Sequence, residues 1–84
     1  MAEVGRDTED ELRARVAELE IALESRVVIE QAKGMIAARH HVDLQTAFHA
    51  LRVAARSNHL ILRELAFRVV SEPSTPAEIA DQLS

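Results

Sequence analysis

The fold is decided by residues 25–70, which read SRVVIEQAKGMIAARHHVDLQTAFHALRVAARSNHLILRELAFRVV. This stretch contains one glycine, Gly34, and no proline. Its apolar residues recur every three or four positions, which is the period of an amphipathic helix. The pattern predicts an all-α fold with a first helix over residues 8–39, a second over 44–57 and a third over 59–71.

Capping residues and apolar stripes set the boundaries within this stretch. Asp43 and Asn58 are residue types that cap helix N-termini, so each is expected to begin a helix. The core is predicted to contain Val28, Ile29, Ala32, Met35 and Ile36 from the first helix, Leu44, Ala47, Phe48, Leu51 and Ala55 from the second, and Leu62, Leu65, Ala66 and Val69 from the third.

The N-terminal arm, residues 1–24, has a different pattern. Thr8 to Glu11 form a capping box, and an a/d seam of about two heptads follows, consisting of Leu12, Val16, Leu19 and Leu23. A helix of this length, about 50 Å, cannot be covered by so small a chain. We therefore predict an acidic coiled-coil dimerisation helix that pairs with a second copy and runs into the three-helix bundle.

The C-terminal residues 72–84 allow two interpretations. Glu72 and Pro73 end the third helix, because the residue before a proline avoids the helical region. Residues 75–78, Thr-Pro-Ala-Glu, again resemble a capping box. They predict either a short fourth helix or a flexible tail.

Charge is segregated along the 84-residue chain, whose net charge is −4. Residues 25–70 carry seven basic and three acidic side chains, whereas residues 1–24 carry three basic and eight acidic ones. Phosphates respond to the local patch, so the overall sign does not exclude nucleic acid. There is no cysteine and no apolar run of membrane-spanning length. We expect a cytoplasmic chain with no metal, cofactor, membrane or small-molecule substrate.

Two motifs carry a family resemblance. Gln31-Ala32-Lys33-Gly34, followed by Ala47-Phe48-x-x-Leu51-Arg52, resembles the ANTAR domain of bacterial transcription antitermination regulators. The resemblance implies a three-helix RNA-binding domain over residues 25–71, at the end of a dimerising coiled coil. It implies binding to paired hexanucleotide-loop hairpins in nascent mRNA leaders, which prevents a terminator from forming near RNA polymerase.

The resemblance assigns candidate RNA contacts. Lys33, Gly34, Phe48 and Arg52 match the family pattern, and Arg forms forked hydrogen bonds and stacks on bases. His49, Arg52 and Arg56 are expected on one helix face, with Arg26 as a further contact. Each has a simpler alternative. Arg26 could simply form a solvated ion pair with Glu30, and Gly34 could serve helix packing. Phe48 is expected in the core rather than as a stacking platform for bases, and Phe67 could pack or meet a ligand.

The chain also departs from the family. His41 stands where the first turn usually offers glycine, so this histidine is expected to adopt a positive φ. The sensor or receiver domain that most members carry is not seen, which leaves the signal input open. Rival interpretations are a dimeric protein-interaction adaptor and a DNA-binding helix-turn-helix factor. A small chorismate mutase is disfavoured because the seam leaves no room for a pocket, so we expect no catalytic residues.

Overall fold

The computed structural model describes the backbone of residues 2–84 and the side chains of residues 9–20 and 25–84. Within that part of the chain the fold is all-α, without strands. It contains four helices: α1 (Ala2–His40), α2 (Leu44–Ser57), α3 (Leu62–Ser71) and α4 (Ala77–Leu83). The molecule extends 62 Å along its longest axis and 22 Å across, because the N-terminal half of α1 projects beyond the bundle as an arm.

The turn between α1 and α2 forms as the sequence predicts. Asp43 is the N-cap of α2, and its Oδ1 accepts a hydrogen bond from the Thr46 backbone N–H at 2.6 Å. Hydrogen bonding from the Thr46 side chain, together with that from the Thr46 backbone N–H, lowers the pKa of the Asp43 carboxyl. His41 has a φ of 54°, so it adopts the left-handed conformation that glycine usually supplies at such a turn.

The turn between α2 and α3 differs from the prediction. Asn58 caps the end of α2 instead of the start of α3, because its side-chain Nδ2 donates to the Ala54 carbonyl at 2.8 Å. His59 follows with a φ of 55°. The third helix therefore begins at Leu62, later than predicted, and its N-cap Ile61 makes no side-chain capping hydrogen bond.

The core is built largely from alanine, which lets the helix backbones approach closely. The prediction that Leu44 belongs to this core is wrong, because Leu44 lies in the first turn of α2 and is 54% exposed. Phe48 and Leu62 are partly buried against the core. The buried hydrophobic residues of this core are Ala32, Ile36, Ala47, Ala50, Leu51, Ala54, Ala55, Leu65, Ala66, Val69 and Ile79.

Helix α4 packs against α2 and buries Ile79. The predicted capping box at residues 75–78 does not form. Pro76 is the N-cap of α4 and makes no side-chain capping bond, while the Thr75 hydroxyl lies 2.9 Å from His40 Nε2. Helix α4 is instead fixed by Arg68, whose Nη1 donates to Glu78 Oε2 at 2.7 Å.

The arm stands clear of the bundle. All side chains of residues 9–20 are exposed, including three seam residues: Leu12 at 56%, Val16 at 52% and Leu19 at 63%. The fourth predicted seam residue, Leu23, lies outside the described side chains, as does Thr8. The predicted start of the first helix at residue 8 is wrong, because α1 begins at Ala2 and residues 8–11 lie inside it. Searched over the described residues, no helix combines the length and the apolarity needed to cross a membrane.

Candidate functional site

Two cations from different helices converge on the ring of Phe48. Lys33 Nζ, from α1, lies 4.8 Å from the ring centroid. Arg52 Cζ, from α2, lies 5.4 Å from the same centroid. Both distances are within the range of a cation–π interaction. The half-buried Phe48 ring thus holds an ammonium and a guanidinium group side by side at the α1–α2 surface.

The charges of this pair are only partly compensated. Lys33 Nζ also lies 3.2 Å from Glu30 Oε1, in an i,i+3 ion pair. The interpretation that Glu30 pairs with Arg26 is therefore wrong, because Glu30 reaches toward the next turn instead. Among the described residues Arg52 has no ion pair, and its guanidinium is exposed. Its hydrogen-bond donors therefore remain open to an anionic ligand.

Other predicted contacts surround this pair. Arg56 and His49 are exposed on α2, at four residues after and three residues before Arg52, so they share its face. Arg26 is exposed on α1, two turns before Lys33. The structure brings Lys33 and Arg52 together on one ring and places Arg56 and His49 beside them, whereas Arg26 makes no contact with these side chains.

Gly34 follows Lys33 and is exposed within the last two turns of α1. A Cβ built at this position would meet nothing within 4 Å. The interpretation that Gly34 lets helices pack closely is therefore wrong within one copy of the chain. The glycine leaves a bare strip of backbone at the residue that follows Lys33.

Two other basic side chains of residues 25–70 serve the fold. Arg39 donates from Nη1 to the Val69 carbonyl at 3.4 Å and from Nη2 to the Glu72 carbonyl at 3.2 Å. Arg68 pairs with Glu78 at 2.7 Å and with Glu72 at 3.3 Å. The hydrogen bond from Arg68 lowers the pKa of Glu78, and its bonds to Glu78 and Glu72 raise the pKa of Arg68. These two arginines are occupied, so they are not available to a ligand.

Sequence reasoning missed the part played by Phe48. Its apolar stripe placed it in the core, which it contacts, but its ring is also the surface on which both cations rest. The i,i+4 spacing of Phe48 and Arg52 was a usable signal, because side chains four residues apart on a helix are neighbours. The approach of Lys33 from α1 depends on the tertiary fold.

Comparison with known proteins identifies the family. The family model described as the ANTAR domain matches residues 17–70, which is more than half of the 84-residue chain. The matched range contains Lys33, Phe48 and Arg52 together with all of α2. No curated protein and no solved structure matches the chain. The chain therefore belongs to the ANTAR domain family, a family of non-enzymatic RNA-binding regulators of transcription antitermination.

Proposed function

We propose that this chain binds the loops of RNA hairpins in nascent leader transcripts, and that Lys33 and Arg52 are its central contacts. One observation carries the proposal, which is the convergence of these two cations on the Phe48 ring from separate helices. A cation pair held before the ligand arrives loses less side-chain entropy on binding than two free side chains would.

The chemistry of the two groups is complementary. The Lys33 ammonium is a compact point charge suited to a phosphate. The Arg52 guanidinium can form two parallel hydrogen bonds to a phosphate or stack on an unpaired base. Phosphate contacts position an RNA loop, and contacts to base edges give specificity. The exposed Arg56 and His49 extend the same surface along α2, and Arg26 adds a more distant positive charge on α1.

Gly34 has a steric part in this proposal. Because nothing lies within 4 Å of where a Cβ at Gly34 would stand, a sugar–phosphate chain can approach α1 more closely there than at a residue with a Cβ. The same approach brings the phosphate next to Lys33. The open strip beside Gly34 therefore supports a contact between the RNA backbone and the helix surface.

Pairing of two copies completes the proposed function. The exposed seam of Leu12, Val16 and Leu19, continued by Leu23, pairs with the same seam of a second copy. The homodimer presents two loop-binding sites, so a leader with two hairpins binds with the benefit of effective concentration. Holding the hairpins in the bacterial cytoplasm prevents the overlapping terminator from forming, and RNA polymerase continues.

The test compares alanine variants by fluorescence anisotropy with a labelled RNA hairpin that has a six-nucleotide loop. Lys33→Ala and Arg52→Ala should each weaken binding by about 10-fold or more, since a hydrogen bond to a charged group contributes about 1.5–3 kcal/mol. The melting temperature of Arg52→Ala should barely change, because Arg52 is exposed. That of Lys33→Ala should fall modestly, because the Lys33 side chain is only 18% exposed and packs on Phe48.

Arg63→Ala is the matched control. Arg63 is an exposed arginine of α3 that lines the α1–α3 side of the bundle, so its removal should leave the affinity for a single hairpin unchanged. Equal losses of RNA affinity in all three variants would mean that binding depends only on the net charge of the protein, which would contradict the proposed site. Preferential binding of duplex DNA in competition would replace the RNA function with a helix-turn-helix function.

A further inference from the structure

An apolar groove lies between α1 and α3, whereas the Lys33–Arg52 pair lies between α1 and α2. Its volume is about 670 Å³, which is within the range of about 300–1,000 Å³ for ligand sites. Val27 of α1 and Phe67 of α3 line the groove, and these side chains are 57% and 63% exposed. The groove therefore presents an open aromatic ring to solvent, in a chain that has only two phenylalanines.

Two arginines beside the groove have no carboxylate partner. Arg63 lies in the first turn of α3 and lines the groove, and Arg26 precedes Val27 on α1. Both side chains are exposed, and neither forms an ion pair within the described part of the chain. Their guanidinium groups are therefore open to an anionic ligand, as that of Arg52 is.

The other charged side chains of the groove lie toward α4 or are fewer than these arginines. Arg68 is held in ion pairs with Glu72 and with Glu78 of α4, so its guanidinium is not available. Glu64 is exposed and contributes one negative charge, against the two positive charges of the unpaired arginines. An anion is therefore favoured beside the arginines and disfavoured at Glu64 and toward α4.

Helix geometry connects the groove to the Lys33–Arg52 pair through Gly34. Gly34 follows Val27 by seven residues and Gln31 by three, so these three positions lie along one face of α1. Val27 and Gln31 both line the groove, while Gly34 is next in sequence to Lys33. Because nothing lies within 4 Å of where a Cβ at Gly34 would stand, the surface of α1 is open where a strand would pass from the pair to the groove.

We propose that the α1–α3 groove is a second RNA site, which binds unpaired nucleotides next to a hairpin whose loop is held by Lys33 and Arg52. The inference rests on the RNA-binding function proposed above and assigns a ligand to a different surface. A base stacks on the ring of Phe67, and the guanidinium groups of Arg63 and Arg26 contact the adjoining phosphates.

The chemistry of the groove favours a nucleic acid over an apolar peptide. Sites for single-stranded nucleic acid combine aromatic rings, on which bases stack, with basic side chains that follow the backbone. Phe67 and Arg63 supply both kinds of group one turn apart on α3. A purely apolar partner would bury the Arg63 guanidinium without supplying an anion, which is costly. Because every base has a π-face, the bound nucleotides need no fixed sequence.

An affinity test compares two RNAs by fluorescence anisotropy. One is the hairpin of the preceding test with a blunt stem, and the other carries single-stranded uridine extensions at both ends of that stem. The parent chain should bind the extended hairpin at least about 5-fold more tightly, since stacking of one base on an aromatic side chain has an effect of this size or more. Phe67→Ala should abolish this advantage and leave the affinity for the blunt hairpin unchanged. Ile61→Ala is the matched control, because Ile61 is 54% exposed and lies outside the groove.

A tryptophan reporter tests the stacking without a hairpin, because the chain has no tryptophan or tyrosine of its own. A base stacked on the indole of the Phe67→Trp variant should quench its emission. The probe is a uridine oligomer of about twelve nucleotides, a length within the range of single-strand sites. Titration should give a saturable loss of emission, whereas the Ile61→Trp variant should keep its emission.

These measurements separate the groove from the loop site. If Lys33→Ala and Arg52→Ala leave the affinity for the blunt hairpin unchanged, the loop site fails, and the reporter titration still decides whether the groove binds unpaired RNA. Extensions that add no affinity, or Phe67→Trp emission that the uridine oligomer leaves unchanged, would overturn the inference and leave the loop site intact. Emission that changes with protein concentration in the absence of RNA would show that a second copy covers the groove, and would overturn it as well.

Discussion

At the scale of single residues, Phe48 links the fold to the proposed RNA site. Its ring packs against the core and also receives Lys33 at 4.8 Å and Arg52 at 5.4 Å. Phe48→Leu keeps an apolar side chain of similar size but removes the electron-rich ring face. Each cation–π interaction contributes about 0.5–1 kcal/mol at an exposed site, so we expect a loss of about 3–10-fold in RNA affinity and a small change in melting temperature.

The conservative variant Phe48→Tyr separates positioning from packing. Tyrosine keeps the ring face, so RNA affinity measured by anisotropy should return to the level of the parent chain. If the leucine and tyrosine variants bind the hairpin equally well, the ring has only a packing role, and the two cations are positioned by their own helices.

Replacing Gly34 by alanine should raise the stability of the fold and weaken RNA binding. Alanine at this position meets no atom within 4 Å and should stabilise α1 by about 0.5–1 kcal/mol, because glycine is a poor helix former. The melting temperature should therefore rise by about 2–8 °C. If RNA approaches this backbone closely, Gly34→Ala should at the same time weaken binding in the anisotropy assay.

The reverse change at Ala38, an exposed residue one turn later in α1, is the control for Gly34. Ala38→Gly should lower the melting temperature and leave RNA affinity unchanged. A Gly34→Ala variant that is more stable and binds equally well would exclude a close approach of RNA at this turn.

At the scale of helices, α4 is held to α3 by a charge pair that depends on pH. The hydrogen bond from Arg68 lowers the pKa of Glu78, so this carboxylate stabilises the fold at neutral pH. The contribution is lost as the pH falls through the lowered pKa, because the proton then binds the folded state as well. Glu78→Gln should lower the melting temperature at pH 7, and the difference from the parent should shrink below about pH 4.

Asp81→Asn is the matched control for α4. Asp81 is exposed on the same helix and has no ion pair in the described part of the chain. The melting temperature of the Asp81→Asn variant should therefore equal that of the parent both at pH 7 and in acid. A difference at Glu78 that persisted unchanged in acid would assign the effect to packing of the side chain.

The helices themselves were predictable where local chemistry decides them. The bounds of α2 follow from Asp43 and the apolar period, and the structure has the same bounds. The start of α3 was not predictable, because Asn58 can cap in either direction and the fold uses its amide on the Ala54 carbonyl. Arg39 likewise became structural through carbonyls of α3, two helices away, and Arg68 through Glu78 of the next helix; sequence spacing reveals neither partner.

At the scale of the whole molecule, a bundle about 22 Å across carries an arm that makes the chain 62 Å long. Within one copy, the exposed side chains Leu12, Val16 and Leu19 of the arm are not covered by the bundle. The arm also makes no contribution to the Lys33–Arg52 pair. In the proposed dimer, the arm brings a second site to the same RNA. Avidity from two linked sites can exceed the affinity of one site by about 10²–10⁴-fold, without any new contact to the RNA.

This argument predicts a separation between RNA with one hairpin and RNA with two. Leu19→Asp places a carboxylate in the exposed seam and should give monomers in analytical ultracentrifugation. Affinity for a leader with two hairpins should fall by about 100-fold or more, while affinity for one hairpin stays the same. Ala14→Asp, an exposed change on the arm outside the seam, should affect neither. The opposite outcome is a monomeric Leu19→Asp variant that binds both RNAs equally well and keeps the parent's affinity for the two-hairpin leader. It would mean that one copy performs the entire recognition.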